Sequence, residues 1–208
     1  MLSNKSVYFV FSFLIALVIV SCGERKHPVE KVKSTKDYNV PAVVTSEAEK
    51  ILGKDMKFAY KGNFDTDSSI EIAAGTEIEN KSEWGIQFYL LKLEQNKLAK
   101  TFQTNLLKGS FKESLTKKIK FPAYDYELIY YNSQDYFLGS GGGEIFSYII
   151  NFKNQKTFYA HLFLEKEKIS LFLSNNIDNS EIKNFFIANF KRDYPNLQIV
   201  SKDVNIDI

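Results

Sequence analysis

Three alternating apolar runs, at 145–152, 157–165 and 169–173, follow one another across links of only a few residues, Lys153-Asn154-Gln155-Lys156 and Lys166-Glu167-Lys168. A parallel connection needs a crossover of about a dozen residues or more, so links this short force neighbouring strands to run antiparallel. Side chains alternate between the two faces of a strand. The first run therefore puts Phe146, Tyr148, Ile150 and Phe152 on one face. The second groups Phe158, Ala160, Leu162 and Leu164, and the third Ile169, Leu171 and Leu173. Together they predict one uniformly apolar face. The opposite face is expected to gather Ser147, Asn151 and Glu165 with Tyr159, His161 and Phe163, and to be partly wet.

Shorter strand signals precede this meander. Residues 57–61 alternate, 70–74 and 84–93 are apolar, and the turn Glu94-Gln95-Asn96-Lys97 leads into a strand at 98–103. Further short strands are expected at 126–131 and 136–138, around Asn132-Ser133, while 105–122 gives no clear pattern. Thr45 or Ser46 is placed to cap a short helix that runs through Leu52 and ends at Gly53. A second helix has an N-cap candidate in Asp178, with Glu181 completing a capping box and Ile177 and Ile182 forming a staple. Ile182, Phe185, Phe186, Ala188 and Phe190 give it a broad apolar face, Lys191 and Arg192 suit its C-terminal end, and Pro195 blocks its continuation. A last strand is expected at 197–204. The fold class that follows is α+β: a single antiparallel sheet of about seven to nine strands, a meander, packed by one or two helices.

The N-terminus is of another kind. Lys5 precedes a charge-free apolar run from Val7 to Val20, closed by Ile19-Val20-Ser21-Cys22. As a helix the run spans roughly 21 Å, short of the ~30 Å hydrocarbon core of a bilayer. The tetrapeptide resembles the lipobox of bacterial lipoproteins. That resemblance implies a signal peptide over 1–21, cleavage before Cys22, and covalent lipid on Cys22 as a permanent anchor. Gly23 follows the cysteine, with no aspartate to retain the protein at the inner membrane, so the resemblance implies an outer-membrane address in the cell envelope. Residues 22–41 are charged and lack apolar periodicity, and read as the lipidated N-terminus and a polar tether. Residues 42–208 are then the single α+β domain. Cys22 is the only cysteine, so this domain is expected to stand without a disulfide.

The sharpest internal motif lies at 62–75, GNFDTDSSIEIAAG. It resembles the calcium loop of FG-GAP and VCBS-type repeats, in which alternating oxygen donors on a tight turn precede a small apolar strand and a glycine. The resemblance puts the side chains of Asn63, Asp65, Asp67 and Glu71 and the carbonyl of Ser69 on the ligand places. Calcium takes six to eight oxygens, which alternating donors on a loop can supply. The motif departs from the family pattern in three ways: Asn63 replaces the first Asp, Ser68 replaces the turn Gly, and only one copy exists. A surface β-turn rich in Asp and Ser is the other reading of the same residues.

A glycine loop, Gly139-Ser140-Gly141-Gly142-Gly143-Glu144, is a candidate binding loop with Tyr136 at its rim. It has neither the following Lys-Ser/Thr nor the following helix of a phosphate-binding loop. His161 is the only histidine beyond the tether, so zinc sites and Cys/His or Ser/His machines lack parts. Setting Lys5 aside leaves 26 of the 27 basic side chains against 25 acidic ones, a near balance that gives no footprint for nucleic acid. The reading that follows is a membrane-anchored envelope lipoprotein, not an enzyme. It binds an envelope protein or polymer, with Ca²⁺ as the one non-covalent cofactor considered, at 63–71. A carboxylate-dependent envelope hydrolase working near the glycine loop is the alternative from another class. An immunity or inhibitor lipoprotein is the third.

Overall fold

The computed structural model describes residues 36–80, 83–133, 142–165 and 168–200. These residues all fall in one compact unit. The first element is a helix, α1 (Pro41–Leu52). Pro41 stands in its first turn, where a missing N–H costs nothing and a fixed φ favours the helix. The expected caps Thr45 and Ser46 therefore lie inside the helix. Gly53 ends it in a positive-φ conformation, with its N–H donating to the Glu49 carbonyl. The folded body also begins before residue 42, because Tyr38 is buried and Lys36 pairs with Glu47 of α1 at 2.5 Å.

Four antiparallel strands follow in sequence order as one sheet: β1 (Met56–Gly62), β2 (Glu71–Glu79), β3 (Trp84–Glu94) and β4 (Lys97–Gln103). The remaining strands form a second sheet. These are β5 (Ser114–Ile119), β6 (Leu128–Ser133), β7 (Gly142–Asn151), β8 (Lys156–Glu165) and β9 (Lys168–Leu173), followed by helix α2 (Ser180–Asp193) and the short strand β10 (Gln198–Val200). Its order is β10-β9-β8-β7-β6-β5, antiparallel throughout except where β10 returns parallel to β9 after α2. The α+β class holds, with the strands shared between two sheets where one was expected. The strand expected at 136–138 lies outside the described residues, as does the part of the last strand beyond 200. The unclear stretch at 105–122 supplies β5.

The two sheets stack face to face, with a helix against each outer face. Val44 and Ala48 of α1 pack on Ile72, Tyr89 and Leu91 of the first sheet. Between the sheets lie Phe64, Phe88, Leu90, Tyr131, Ile150 and Phe152. Ile182, Phe186 and Phe190 of α2 cover Ile149, Phe158 and Leu162 of the second sheet. Each fully buried side chain of this size is worth about 1.5–3 kcal/mol relative to exposure, so three apolar layers supply stability without a cross-link.

The register of β7 on β8 corrects the expected faces. Phe146 pairs with His161, Tyr148 with Tyr159 and Ile149 with Phe158. Directly paired residues share a face, so the Phe146–Phe152 row lies with Tyr159 and His161, and the Phe158–Leu164 row lies with Ile145, Ser147 and Ile149. The face under α2 is thus dry, while on the other face Phe146, Tyr159 and His161 stay half-buried beside the buried Tyr148 and Ile150. Ser147 and Asn151 are buried among the apolar residues under α2, and each is hydrogen-bonded: Ser147 Oγ to Asn132, and Asn151 Nδ2 to the Tyr126 hydroxyl at 3.1 Å.

Candidate functional site: a carboxylate cluster closed by a lysine

The segment between β1 and β2 is pinned at both ends by the core. Phe64 is fully buried between the sheets, edge-on to Phe152 at 5.7 Å. Gly62 allows this plug, because a Cβ there would meet the Phe64 ring at 2.6 Å and the Glu127 carboxylate at 2.5 Å. Burying Phe64 also buries its N–H, which must find an acceptor. Glu71, the first residue of β2 and only 1% exposed, supplies it. Its Oε2 accepts from the Phe64 N–H and from the Asp65 N–H, the latter at 3.1 Å.

Asp65 and Asp67 turn toward the same point. One carboxylate oxygen from each of Asp65, Asp67 and Glu71 lies within 4.8 Å of the others. Among them sits the ammonium of Lys92 on β3, paired with Asp65, 2.5 Å from Asp67 Oδ2 and 4.0 Å from Glu71 Oε1. Register puts it there. Glu71 and Lys92 stand directly opposite each other in the β2–β3 ladder, and their side chains share the face that points at the second sheet.

The Asn63 side chain is engaged elsewhere, as are the N–H and hydroxyl of Ser69, whose carbonyl was the expected ligand. Asn63 Oδ1 accepts from the Thr66 N–H at 3.0 Å, and its Nδ2 donates to the Asp125 carbonyl at 3.3 Å. Ser69 donates its N–H to Asp67 Oδ1 at 2.7 Å and its hydroxyl to the same oxygen. The left-handed residue of the loop is Thr66, with φ 73°, where the family pattern had pointed to position 68. Three of the four side chains expected as ligands therefore converge, and Asn63 with the N–H and hydroxyl of Ser69 braces the turn.

The electrostatics follow from crowding. Burial, then the neighbouring Asp65 carboxylate, pushes the Glu71 carboxyl up to about 8, so it carries its proton at neutral pH. Burial also opposes charge on Asp65 and Asp67. The groups bonded to them, the Lys92 ammonium prominent among these, nevertheless hold both carboxyls below the usual range. Burial opposes charge on Lys92 as well, but Asp65 and Asp67 outweigh it and hold the ammonium protonated. Chemically the cluster is a cation seat. Its acids hold a charge in place, and each is committed to a backbone group or to Lys92.

Lys92 is the residue that the pattern of the loop alone misses. The signal for it lies in β3, where a lysine continues the inward row of Ile86, Phe88 and Leu90. A charge in phase with a core row needs a partner of opposite sign.

The other candidate region is half visible. Tyr136, Gly139, Ser140 and Gly141 lie outside the described residues. Gly142, Gly143 and Glu144 belong to strand β7, paired with Glu165, Leu164 and Phe163, and so do not form a loop. A Cβ on Gly142 would meet the Leu164 carbonyl oxygen at 2.7 Å, so close strand contact accounts for that glycine. Glu144 Oε2 lies 3.3 Å from His161 Nε2, whose ring is stacked on Phe146 at 4.5 Å. Burial lowers the His161 pKa despite that carboxylate, which favours the neutral ring. Cys22, the predicted lipid-bearing residue, also lies outside the described residues.

One open concavity stands apart from these groups. At the end of β2 and the start of β3 a cleft of about 840 Å³ is lined by Lys57, Glu77, Glu79, Asn80, Trp84 and Lys112, among others. Trp84, the only tryptophan of the chain, is 48% exposed at its edge. Comparison of the chain with protein-family models, with curated proteins and with solved structures found no match.

Proposed function

We propose that this protein is a lipid-anchored binding protein of the bacterial cell envelope, held to the membrane through Cys22 and without catalytic chemistry of its own. The observation that carries this reading is the sequence Ile19-Val20-Ser21-Cys22 at the end of a charge-free run too short to cross a bilayer as a helix. The chain after Cys22 is charged up to the point where the folded body starts, a spacing that suits a tether between lipid and domain. Ca²⁺ enters this reading only through the acidic loop, whose seat holds a lysine ammonium.

The acid–base groups support a non-enzymatic role. The described carboxylates that crowd together are bound to Lys92 and to backbone N–H groups, and His161 is stacked among aromatic rings. The binding face best supported is the cleft beside Trp84. An exposed indole beside carboxylates, an amide and ammonium groups offers a flat apolar surface next to hydrogen-bonding partners, which suits a glycan of the envelope.

The test uses one expression strain and two readouts. Cells labelled with a palmitate analogue should mark the wild-type chain in the membrane fraction, and Cys22→Ala should lose the label and accumulate as the longer precursor. Continued labelling of Cys22→Ala ends the lipoprotein reading. In the same preparations, solubilised wild-type protein should change its Trp84 emission on titration with muropeptides or envelope polysaccharide. A flat titration with every envelope glycan tried removes the glycan and leaves a protein partner.

A further inference from the structure

Asp65, Asp67 and Glu71 surround one point, and the group at that point is part of the chain itself. Lys92 Nζ reaches it from β3. The fit is incomplete in an informative way. An ammonium has three donors, and here Asp65 and Asp67 are bound closely while Glu71 Oε1 remains 4.0 Å away. That oxygen makes no hydrogen bond, although its residue is 99% buried and aimed into the cluster. A carboxyl buried in this way keeps its proton rather than bear an unpaired charge, and it marks a seat with more oxygen ligands than a lysine can serve.

A divalent cation has the opposite profile. Calcium accepts six to eight oxygens in a flexible shell, so it can draw on three carboxylates at once with water and backbone carbonyls completing the set. It also brings two positive charges to a site where the ammonium brings one. The lysine has its own advantage: it is covalently present at every ion concentration, and the strand register delivers it opposite Glu71.

We propose that Lys92 is a built-in substitute for a divalent cation. Its ammonium fills a three-carboxylate seat and closes the 63–71 loop without metal, and removal of that ammonium turns Asp65, Asp67 and Glu71 into a calcium site. The inference stands independently of the lipid anchor and of the glycan cleft. The loop depends on having a positive charge in this place, since without one the half-buried Asp65 and the more exposed Asp67 carboxylates face each other beside Glu71, which ties the Phe64 N–H. Methionine at position 92 keeps the length of the stem and removes the charge.

The experiment measures thermal unfolding of the full chain in detergent, in EDTA and in about 10 mM CaCl₂, a concentration well above the range typical of extracellular calcium modules. Wild type is expected to melt at the same temperature in both. Lys92→Met is expected to melt lower in EDTA and to regain about 5 °C or more in calcium. Lys92→Arg keeps a cation and should stay unresponsive. Adding Asp65→Asn and Glu71→Gln to Lys92→Met should abolish the calcium response.

A Lys92→Met chain that calcium does not stabilise overturns the proposal. So does a wild-type chain that calcium stabilises as strongly as the variant, and so does an Arg variant that behaves like Met. Should Lys92→Met be unfolded in EDTA, refolding by dialysis into CaCl₂ replaces the melt. Recovery of the wild-type circular dichroism then supports the proposal, and failure to recover rejects it.

Discussion

At the scale of single residues, the molecule concentrates its electrostatic strain on Glu71. Its carboxyl is raised from about 4.5 to about 8, first by burial and then by Asp65, so the folded state holds a proton that the unfolded chain releases. Between these two values the unfolded chain binds fewer protons than the folded one, and stability therefore falls as pH rises. Urea midpoints measured in steps from about pH 5 to about pH 8 should decline for wild type. They should decline less for Glu71→Gln, which keeps an acceptor for the Phe64 N–H and has no proton to lose. An equally steep decline in both proteins would assign the slope to other groups. Sequence brought Asp65, Asp67 and Glu71 together correctly because alternating acids on a short turn can hardly avoid each other. Their counter-charge was not legible in that motif, since Lys92 is joined to it by strand register across an intervening hairpin. Asn63 stands apart for a local reason: an amide beside a free turn N–H bonds that first.

Among elements, α2 gives the sharpest case. Asp178 and Glu181 suggested a capping box, but the helix starts one residue later. Asn179 is the cap, and its side chain accepts from the Glu181 N–H at 2.7 Å. Glu181 faces the Ala123 N–H at 3.4 Å, and Asp178 pairs with Lys156 at 3.3 Å. Both asparagine and aspartate cap well, so composition could not choose between adjacent positions, and packing against the second sheet made the choice. Asn179→Ala should cost about 1 kcal/mol of unfolding free energy, and Asp178→Ala clearly less. Denaturation midpoints of the two variants check this, and a larger loss for Asp178→Ala would restore it as the cap. Strand positions were legible wherever alternation was strong, as in β3, β7 and β8. β5 was missed because its residues, Ser114-Leu115-Thr116-Lys117-Lys118-Ile119, are mostly polar along the edge of a sheet.

For the whole molecule, the single meander became two stacked sheets because both faces of β6 and β7 carry large side chains that need cover. Alternation tells which residues share a face within a strand, but the pairing register decides which rows join across strands. Phe88 lies at the centre of the result, with Phe58, Phe111 and Tyr131 all within 6 Å, ring centre to ring centre. Phe88→Ala should lower stability by about 3–5 kcal/mol. If the inter-sheet core makes the domain a single cooperative unit, Trp84 emission from the first sheet and far-ultraviolet dichroism from both should shift together. Separate midpoints for the two probes would mean that the sheets unfold independently.

Each sheet is also drawn from its own unbroken stretch of chain, β1 to β4 and then β5 to β10. Every strand pairing of the first sheet becomes available once Gln103 has been made, before β5 exists. The face bearing Phe58, Phe88 and Leu90 then has nothing to rest on until β6 and β7 have followed. Until then the chain is a half-sandwich with an uncovered aromatic side, so the closing of the second sheet over the first, more than the finished form, is the stage at which this protein is open to aggregation.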